Sequence, residues 1–339
     1  MPNLCRRWAA STVIFVRLGR RALLASLATL AIGCARPNGN ETGDRAQSGQ
    51  TGSSATGSGS PRAIGASTPT PESRPTATPD PRTLQDRLDA YLGYQPGAFG
   101  VVVHDVRTSY EATHLDRDRF PLGSLYKLFV MYEAGRMTRL GRLSWDTIVT
   151  TPAEYLFGEP RGGVPPNTRL ALIDALAAMI GVSSNAAALA LIERIGASTI
   201  EESPRRIGLD DTAIDIAAGT APGHFEIDAR GSARDITTFL IKLDREELVG
   251  PDQDRRMVDL MLDQKIGDRL PRYLPDAIPI AHKTADIDGY THDAGLVYLP
   301  GRPFIVTALA YGDNPTDGKN VVAEVSRLAF EVLSARRKS

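Results

Sequence analysis

Apolar residues recur with helical spacing in several segments of the chain. They recur with strand-like spacing near both ends of residues 83–339. Leu84, Leu88 and Leu92 fall on one face of a predicted helix, and the apolar run 99–106 predicts a buried strand. The helices predicted next are 122–131, 169–180, 185–195, 233–243 and 255–262. Short apolar runs separated by turn residues return at 278–281, 294–299 and 304–310, and 321–333 closes as a helix.

This order of elements predicts an α+β fold. Strands at both ends of the region flank a largely helical middle, so we expect an antiparallel sheet assembled from both ends and covered by the terminal helices. An all-helical lobe would lie beside the sheet. A cleft between the two parts is the expected position of a binding site.

The first 34 residues have the pattern of an export signal. Arg17, Arg20 and Arg21 precede an apolar run, 22–32, that is too short to span a bilayer but fits a signal-peptide core. The run ends in small residues before Cys34, which resembles the lipobox of bacterial lipoproteins, although Ala31 stands where that pattern prefers Leu. We expect lipidation of Cys34 and attachment at the cell surface or in the periplasm; the alternative is an ordinary signal peptide with an incidental cysteine.

A change in composition separates this signal from the folded region. Residues 35–82 are rich in Gly, Ser, Thr, Pro and Ala and contain too little apolar surface to offset the entropy of ordering, so they predict a disordered linker. Residues 83–339 contain no visible repeat. They predict one mid-sized domain.

Composition and charge narrow the range of functions. The chain is 42% hydrophobic with a formal net charge of −1, which removes the electrostatic case for nucleic acid as a partner. Both cysteines precede the folded region, and the five histidines show no metal-ligand spacing, so we expect no metal and no other cofactor. A small molecule or peptide is the expected partner, with membrane contact only through the lipid anchor. The default assembly is a monomer.

Ser124 and Lys127 carry the first chemical signal. They lie three residues apart at the start of a predicted helix and would share one of its faces. The positive potential of a helix start favours a nucleophilic hydroxyl and the oxyanion that it creates. The alternative is an N-capping serine with a surface lysine.

Two further polar motifs follow. Ser183 and Asn185 flank Ser184 at another predicted helix start, and Lys283 and Thr284 lie in a strand-like segment. Taken alone, the first is more often a helix cap and the second an ordinary pair of strand residues.

In this order and spacing, the three motifs resemble the Ser-x-x-Lys, Ser-x-Asn and Lys-Thr-Gly elements of class A β-lactamases and penicillin-binding proteins. The resemblance extends over nearly all of residues 83–339. It implies an α+β, β-lactamase/transpeptidase-like fold and a serine hydrolase that acts through an acyl-enzyme.

Roles follow from this resemblance. Ser124 would attack the acyl carbon, Lys127 would take its proton, and Ser183 would relay a proton to the leaving nitrogen. By the same resemblance, Asn185 would orient Lys127 and the substrate amide, Lys283 and Thr284 would bind the substrate carboxylate, and the backbone N–H groups of Ser124 and Asp286 would form the oxyanion hole.

The chain departs from the class A pattern in the loop that activates the hydrolytic water. The usual Glu-x-x-Leu-Asn run is missing, and the matching segment begins at Asp210. Asp215 lies nearest by rough alignment and Glu226 is the other candidate, although each is more readily interpreted as a solvated or capping carboxylate.

Three smaller departures follow. Ala285 replaces the glycine of the third element and adds a methyl group close to the nucleophile helix, and Ser184 replaces the central aspartate of the second. His292 lies near the position of a carboxylate-binding arginine in many relatives. A polar residue that supports the sheet is an equally good interpretation of His292.

Three functions remain open on the sequence. The leading one is hydrolysis of β-lactams by a β-lactamase-like serine enzyme with a role in antibiotic resistance. The second is a D-alanyl-D-alanine peptidase or penicillin-binding protein with slow deacylation, acting on cell-wall peptide. The third is a non-catalytic cell-wall or β-lactam binding lipoprotein, against which a nucleophile and base at one spacing argue.

Overall fold

Strands from both ends of the folded region form the central sheet of the protein. A computed structural model describes residues 81–154, 158–219, 225–312 and 314–335. In chain order the elements are α1 (Pro81–Leu92), β1 (Ala98–Asp105), β2 (Glu111–His114), β3 (Arg119–Pro121), a 3-10 turn (Gly123–Tyr126), α2 (Lys127–Arg139), β4 (Ile148–Thr150), β5 (Arg169–Ala171), α3 (Leu172–Gly181), α4 (Asn185–Ile195), α5 (Ala197–Glu201), α6 (Ser203–Arg206), β6 (Ala213–Ala218), β7 (Phe225–Ser232), α7 (Ala233–Asp244), α8 (Pro251–Leu262), β8 (Ile280–Ile287), β9 (Tyr290–Val297), β10 (Phe304–Tyr311) and α9 (Pro315–Ala335).

The sheet has the strand order β2-β1-β10-β9-β8, and its neighbours are antiparallel where the register is defined. Successive side chains point to opposite faces, so Val101 and Val103 enter one hydrophobic cluster while Val102 enters the other. Ile305 and Val306 on the neighbouring strand alternate in the same way. Both faces are therefore buried, and the predicted antiparallel sheet from both ends of the region is confirmed.

The terminal helices cover one face of this sheet. Leu84, Leu88 and Leu92 on α1 are at most 3% exposed and share a cluster with the buried face of α9. Full burial of a leucine side chain contributes about 1.5–3 kcal/mol each, so this stripe is a large part of the packing of α1. The opposite face packs against α7, which contacts β1, β9 and β10. The helical lobe continues the same core through α2, α3 and α4.

The structure changes three predicted elements. The helix predicted at 122–131 starts as the 3-10 turn and becomes α-helical at Lys127, and the helix predicted at 169–180 starts only at Leu172, after β5. The segment aligned with the class A loop is the β6–β7 hairpin. This segment forms a strand because of packing: Ile214 and Ile216 alternate with exposed residues and enter the core.

All described residues belong to one compact unit. Cys34 and residues 35–80 of the predicted linker lie outside the described residues. The last two residues of that predicted linker, Pro81 and Arg82, are the first two of α1. Within the described ranges, no helix is long and apolar enough to cross a membrane.

Candidate active site

Ser124 lies where the sheet meets the helical lobe. It belongs to the 3-10 turn that joins β3 to α2 and packs on β8. The preceding Gly123 has a φ of +48°, a left-handed conformation that favours glycine. Ser124 is partly exposed and lines two cavities of about 240 and 260 Å³, and its hydroxyl has no hydrogen-bond partner among the described residues. The hydroxyl is therefore accessible from the cleft.

Lys127 lies one helical turn after Ser124 and is completely buried. Its Nζ donates to Ser183 O at 2.6 Å, Asn185 Oδ1 at 2.7 Å and Ser183 Oγ at 3.2 Å. The three contacts hold an amine at the base of the cleft. The alternative interpretation of Lys127 as a surface lysine is therefore wrong.

The environment of Lys127 favours its neutral form. Burial, and then the like charge of Lys283, lower the pKa of Lys127 well below its ordinary value of 10.5, while Glu159 acts in the opposite direction. A lysine with a lowered pKa can accept a proton near neutral pH. The arrangement is therefore suited to a general base beside a serine hydroxyl.

Ser183 lies in the turn between α3 and α4, with a φ of +62° that is unusual for a residue other than glycine. Its carbonyl faces Lys127, and its hydroxyl faces both Lys127 and Lys283. Ser183 Oγ is 3.2 Å from Lys127 Nζ and 3.0 Å from Lys283 Nζ. A hydroxyl that accepts from two ammonium or amine groups still has its own proton to donate, as a proton relay requires.

Lys283 approaches from β8 and is also completely buried. Besides Ser183, it donates to Thr284 O at 2.6 Å. Burial lowers its pKa to about 7 and Arg269 acts in the same direction, against the opposing effects of Asp293 and Asp286. Thr284 lines the 260 Å³ cavity, so the third motif faces the cleft that contains Ser124.

Asp286 follows at the edge of the cleft and lines both cavities. Its carboxylate pairs with Arg269, a fully buried arginine that sequence reasoning missed. Arg269 also donates to His292 O at 3.0 Å and Ala285 O at 3.4 Å. These contacts hold the end of β8 against β9. A hydrogen bond to main-chain carbonyls distant in sequence leaves no local pattern, which is why Arg269 was missed.

Glu159 is the second site residue that the sequence reasoning missed. It lies in the loop between β4 and β5, lines the 260 Å³ cavity together with Ser124, and hydrogen-bonds to the start of α4. Ser184 caps that helix by accepting from Ala187 N at 3.2 Å and is itself bonded to Glu159.

His292 is placed outside the cleft. It is completely buried on β9, where Nε2 donates to Pro121 O at 2.8 Å and Nδ1 accepts from Ala310 N at 3.1 Å. Burial lowers its pKa to about 4, so the ring is neutral at pH 7. A neutral ring with both nitrogens occupied supports the sheet and has no free donor for a substrate carboxylate.

Asp215 and Glu226 are exposed on the hairpin and line neither of the two cavities that contain Ser124. The register places both on the polar face of the hairpin, opposite the face that packs on the core. Ile227 and Asp228 do line the 240 Å³ cavity. The hairpin therefore forms a cleft wall. Asp228 lies opposite Asp215 in the register, and its side chain is 68% exposed and pairs with Arg230.

The sheet, the helical lobe and the cleft at Ser124 define the fold shared by β-lactamases and penicillin-binding proteins. The structure called PBP-A superposes with a TM-score of 0.66 and 24% identity over 74% of this chain and 96% of that one. A mutant of PBP-A described as an acyl-enzyme complex with penicillin G is similar at 23% identity and TM-score 0.66, covering 75% and 97%. A β-lactamase from Sphaerobacter thermophilus is similar at 18% identity and TM-score 0.67, covering 75% and 98%.

Sequence comparisons give the family. The model described as the β-lactamase enzyme family matches residues 83–333, and the chain belongs to this family. Beta-lactamase 1 of Streptomyces cacaoi is 24% identical over 88% of this chain and 92% of its own. A β-lactamase of Streptomyces fradiae is 27% identical over 74% of this chain and 86% of its own. Membership supports a β-lactamase-like serine hydrolase.

Proposed function

We propose that the protein hydrolyses β-lactams through an acyl-enzyme formed on Ser124. The observation that carries the proposal is the buried contact of Lys127 with Ser183 and Asn185, within one helical turn of a serine hydroxyl that opens into the cleft. A lysine without solvent, beside a second buried lysine, is suited to proton transfer and ill suited to a surface role.

In the first half-reaction, neutral Lys127 takes the Ser124 proton while Oγ bonds to the lactam carbonyl carbon. The C–N bond then breaks, and the proton passes through Ser183 to the leaving nitrogen, giving the acyl ester. Lys283 and Thr284 bind the substrate carboxylate, and Asn185 orients the substrate amide. Backbone N–H groups of Ser124 and Asp286 bind the oxyanion, a contribution of about 3–4 kcal/mol per donor in comparable sites.

In the second half-reaction, water breaks the ester C–O bond, Ser124 regains its proton and the opened acid leaves. Asp215 and Glu226, the two candidates for activating this water, line neither cavity that contains Ser124. This observation favours a second candidate function, a D-alanyl-D-alanine peptidase or penicillin-binding protein whose β-lactam adduct is long-lived. A non-catalytic cell-wall or β-lactam binding lipoprotein is the third, and it gives no account of the buried lysine pair.

Intact mass spectrometry with time separates these functions. The full chain and its Ser124→Ala variant are mixed with a penicillin and with a cephalosporin, and drug hydrolysis is followed in parallel. A Ser124-dependent adduct that clears while the drug is consumed supports the β-lactamase. A persistent adduct supports the peptidase or penicillin-binding protein, and absence of both adduct and hydrolysis contradicts the proposal.

The source of the deacylating carboxylate is tested in the same assay. Asp215→Asn, Glu226→Gln and Asp228→Asn are compared by the rate at which the adduct clears. Of these three residues, Asp228 alone lines a cavity with Ser124, so we expect its variant alone to slow clearance. Equal clearance in all three variants would show that none of these carboxylates activates the water.

We further propose export with a lipid on Cys34, a linker over 35–82 and a monomeric catalytic domain over 83–339. The basic residues and apolar run before Cys34 support export and lipidation. Mass spectrometry of the membrane fraction should find a diacylglyceryl group on Cys34 and none in Cys34→Ala. An unmodified Cys34 in mature wild-type protein would contradict the anchor.

A further inference from the structure

We propose that Glu159 is a positioning residue, whose carboxylate takes the place of an acidic side chain at position 184 and fixes the Ser183–Asn185 turn against Lys127. The inference rests on the proposed acylation chemistry. It adds a residue that none of the three motifs contains.

The hydrogen bonds of Glu159 carry the first step. Oε2 accepts from Asn185 N at 3.0 Å and from Ala186 N at 2.9 Å, the first two amides of α4. Oε1 accepts from Val164 N at 3.0 Å and from the Ser184 hydroxyl. Four donors converge on one carboxylate, and the two helix amides are groups that an α-helix leaves without internal partners. The loop is thereby fixed to the start of the helix that bears Asn185.

The second step connects this carboxylate to Lys127. Asn185 donates its backbone N–H to Glu159 and accepts at Oδ1 from Lys127 Nζ at 2.7 Å. Its Nδ2 donates to Gly158 O at 2.7 Å, next to Glu159 in the loop. The side chain of Asn185 is therefore oriented by the Glu159 loop and by Lys127 together. Loss of the carboxylate would free the asparagine that holds the general base.

Charge is the third step. The charged groups that act on the buried Lys127 amine are Lys283 on β8 and Glu159 in the loop; its other partners, Ser183 and Asn185, are neutral. Lys283 lowers the pKa of Lys127 and Glu159 raises it. Removal of the Glu159 charge therefore lowers that pKa further, and a larger fraction of Lys127 is neutral at low pH.

Ser184 explains why the carboxylate comes from a loop. Ser184 stands where the class A pattern has aspartate, and its hydroxyl bonds to Glu159 while accepting from Ala187 N at 3.2 Å and Val164 N at 3.3 Å. An aspartate at this N-cap would bring its own carboxylate to the Ala186 or Ala187 amide, since Asp is a favoured N-cap residue. Position 184 and position 159 are alternative sources of one negative charge.

The experiment compares four variants of the full chain with wild type: Glu159→Ala, Glu159→Gln, the double variant Glu159→Ala with Ser184→Asp, and Glu193→Gln. Glu193 is exposed on the same helix, so its variant removes one surface charge without touching the turn. Two quantities are measured across pH: the second-order constant for acylation by a penicillin, and the titration of the Lys127 Cε resonance by NMR.

We expect Glu159→Ala to acylate about ten- to a hundred-fold more slowly at its best pH, because a small displacement of a catalytic group has effects of this size. The acid limb of its pH profile and the Lys127 titration should both move to lower pH. Glu159→Gln retains hydrogen-bonding atoms, so it should show the pH shift with a smaller loss of rate. The double variant should recover most of the rate and the wild-type titration, and Glu193→Gln should match wild type.

Equal acylation constants and an unshifted Lys127 titration in Glu159→Ala would overturn the inference, and so would an equal loss of rate in the double variant. These outcomes differ from failure of the proposed function, in which wild type itself forms no Ser124 adduct. The NMR titration reports on Glu159 and Lys127 in that case too. A Glu159→Ala variant that does not fold is replaced by Glu159→Gln, which must then show the pH shift for the inference to stand.

Discussion

Raising the pH above about 7 should weaken acylation by carboxylate-bearing β-lactams while it stabilises the folded protein. Both effects come from Lys283, because burial lowers its pKa from 10.5 to about 7. Only the protonated form offers a cation to the substrate carboxylate. The unfolded chain, with an ordinary lysine pKa, binds more protons than the folded one between these two values, so the free energy of unfolding rises with pH across that interval.

The magnitudes follow from the same shift. With a pKa of about 7, the protonated fraction of Lys283 falls to about one tenth at pH 8 and about one hundredth at pH 9. The acylation constant should therefore fall about tenfold per pH unit on its alkaline side. The stability gained between about pH 7 and 10.5 amounts to at most about 5 kcal/mol.

Two variants isolate this lysine. Lys283→Arg keeps a positive charge at every accessible pH, so its profile should lack the alkaline limb that starts near 7. Lys283→Met should acylate slowly throughout, and its unfolding free energy should show a smaller rise with pH in urea titrations. A wild-type acylation constant that is flat from pH 7 to about 9.5, or the same alkaline limb in the arginine variant, would refute the reasoning.

Three further predictions concern stability, each measured by urea unfolding. Gly123→Ala should lower the free energy of unfolding more than Gly141→Ala does. Both glycines have a positive φ, which costs another residue about 1–2 kcal/mol, but only a methyl group at 123 would meet a neighbour, 3.1 Å away on Ile287. Equal losses in the two variants would show that this contact does not matter. Arg269→Met should lose about 2–4 kcal/mol because it leaves a carboxylate and two carbonyls without their donor, and a loss below about 1 kcal/mol would contradict that role. The pKa of His292 is about 4 in the folded protein against 6.5 in the unfolded chain, so the unfolded chain binds more protons between these values. The free energy of unfolding should therefore fall by up to about 3 kcal/mol as the pH falls from 6.5 to 4, and it should fall less in His292→Gln.

Local patterns were enough to predict much of the fold. The helix at 185–195 was predicted with its observed limits, because Ser184 is a good N-cap and an Ala- and Leu-rich run follows. The strands β1 and β10 were predicted nearly to their limits because each is a short apolar run between turn residues. The predicted runs 278–281 and 294–299 overlap only one end of β8 and of β9. The β6–β7 hairpin was missed although Ile214 and Ile216 alternate with polar residues, since pairing with a separate segment is what makes them a strand.

Some site residues could be predicted from the sequence and others could not. The structure brings Lys127, Ser183, Asn185 and Lys283 into direct contact beside Ser124, and the motifs were readable because their spacing along the chain reflects the chemistry. Glu159 and Arg269 act through backbone groups far away in sequence, so their residue types alone carried no signal. Rough alignment predicted His292 near the substrate carboxylate, whereas its side chain is buried on β9.

Peptide mapping of the acyl adduct would decide whether Ser124 is the nucleophile. The full chain is quenched in acid shortly after mixing with a penicillin, digested and analysed by tandem mass spectrometry. We expect a penicilloyl group on the peptide that contains Ser124, absent from Ser124→Ala and formed slowly in Lys127→Met. A stable protein that forms no adduct, or one acylated at another residue, would contradict this expectation.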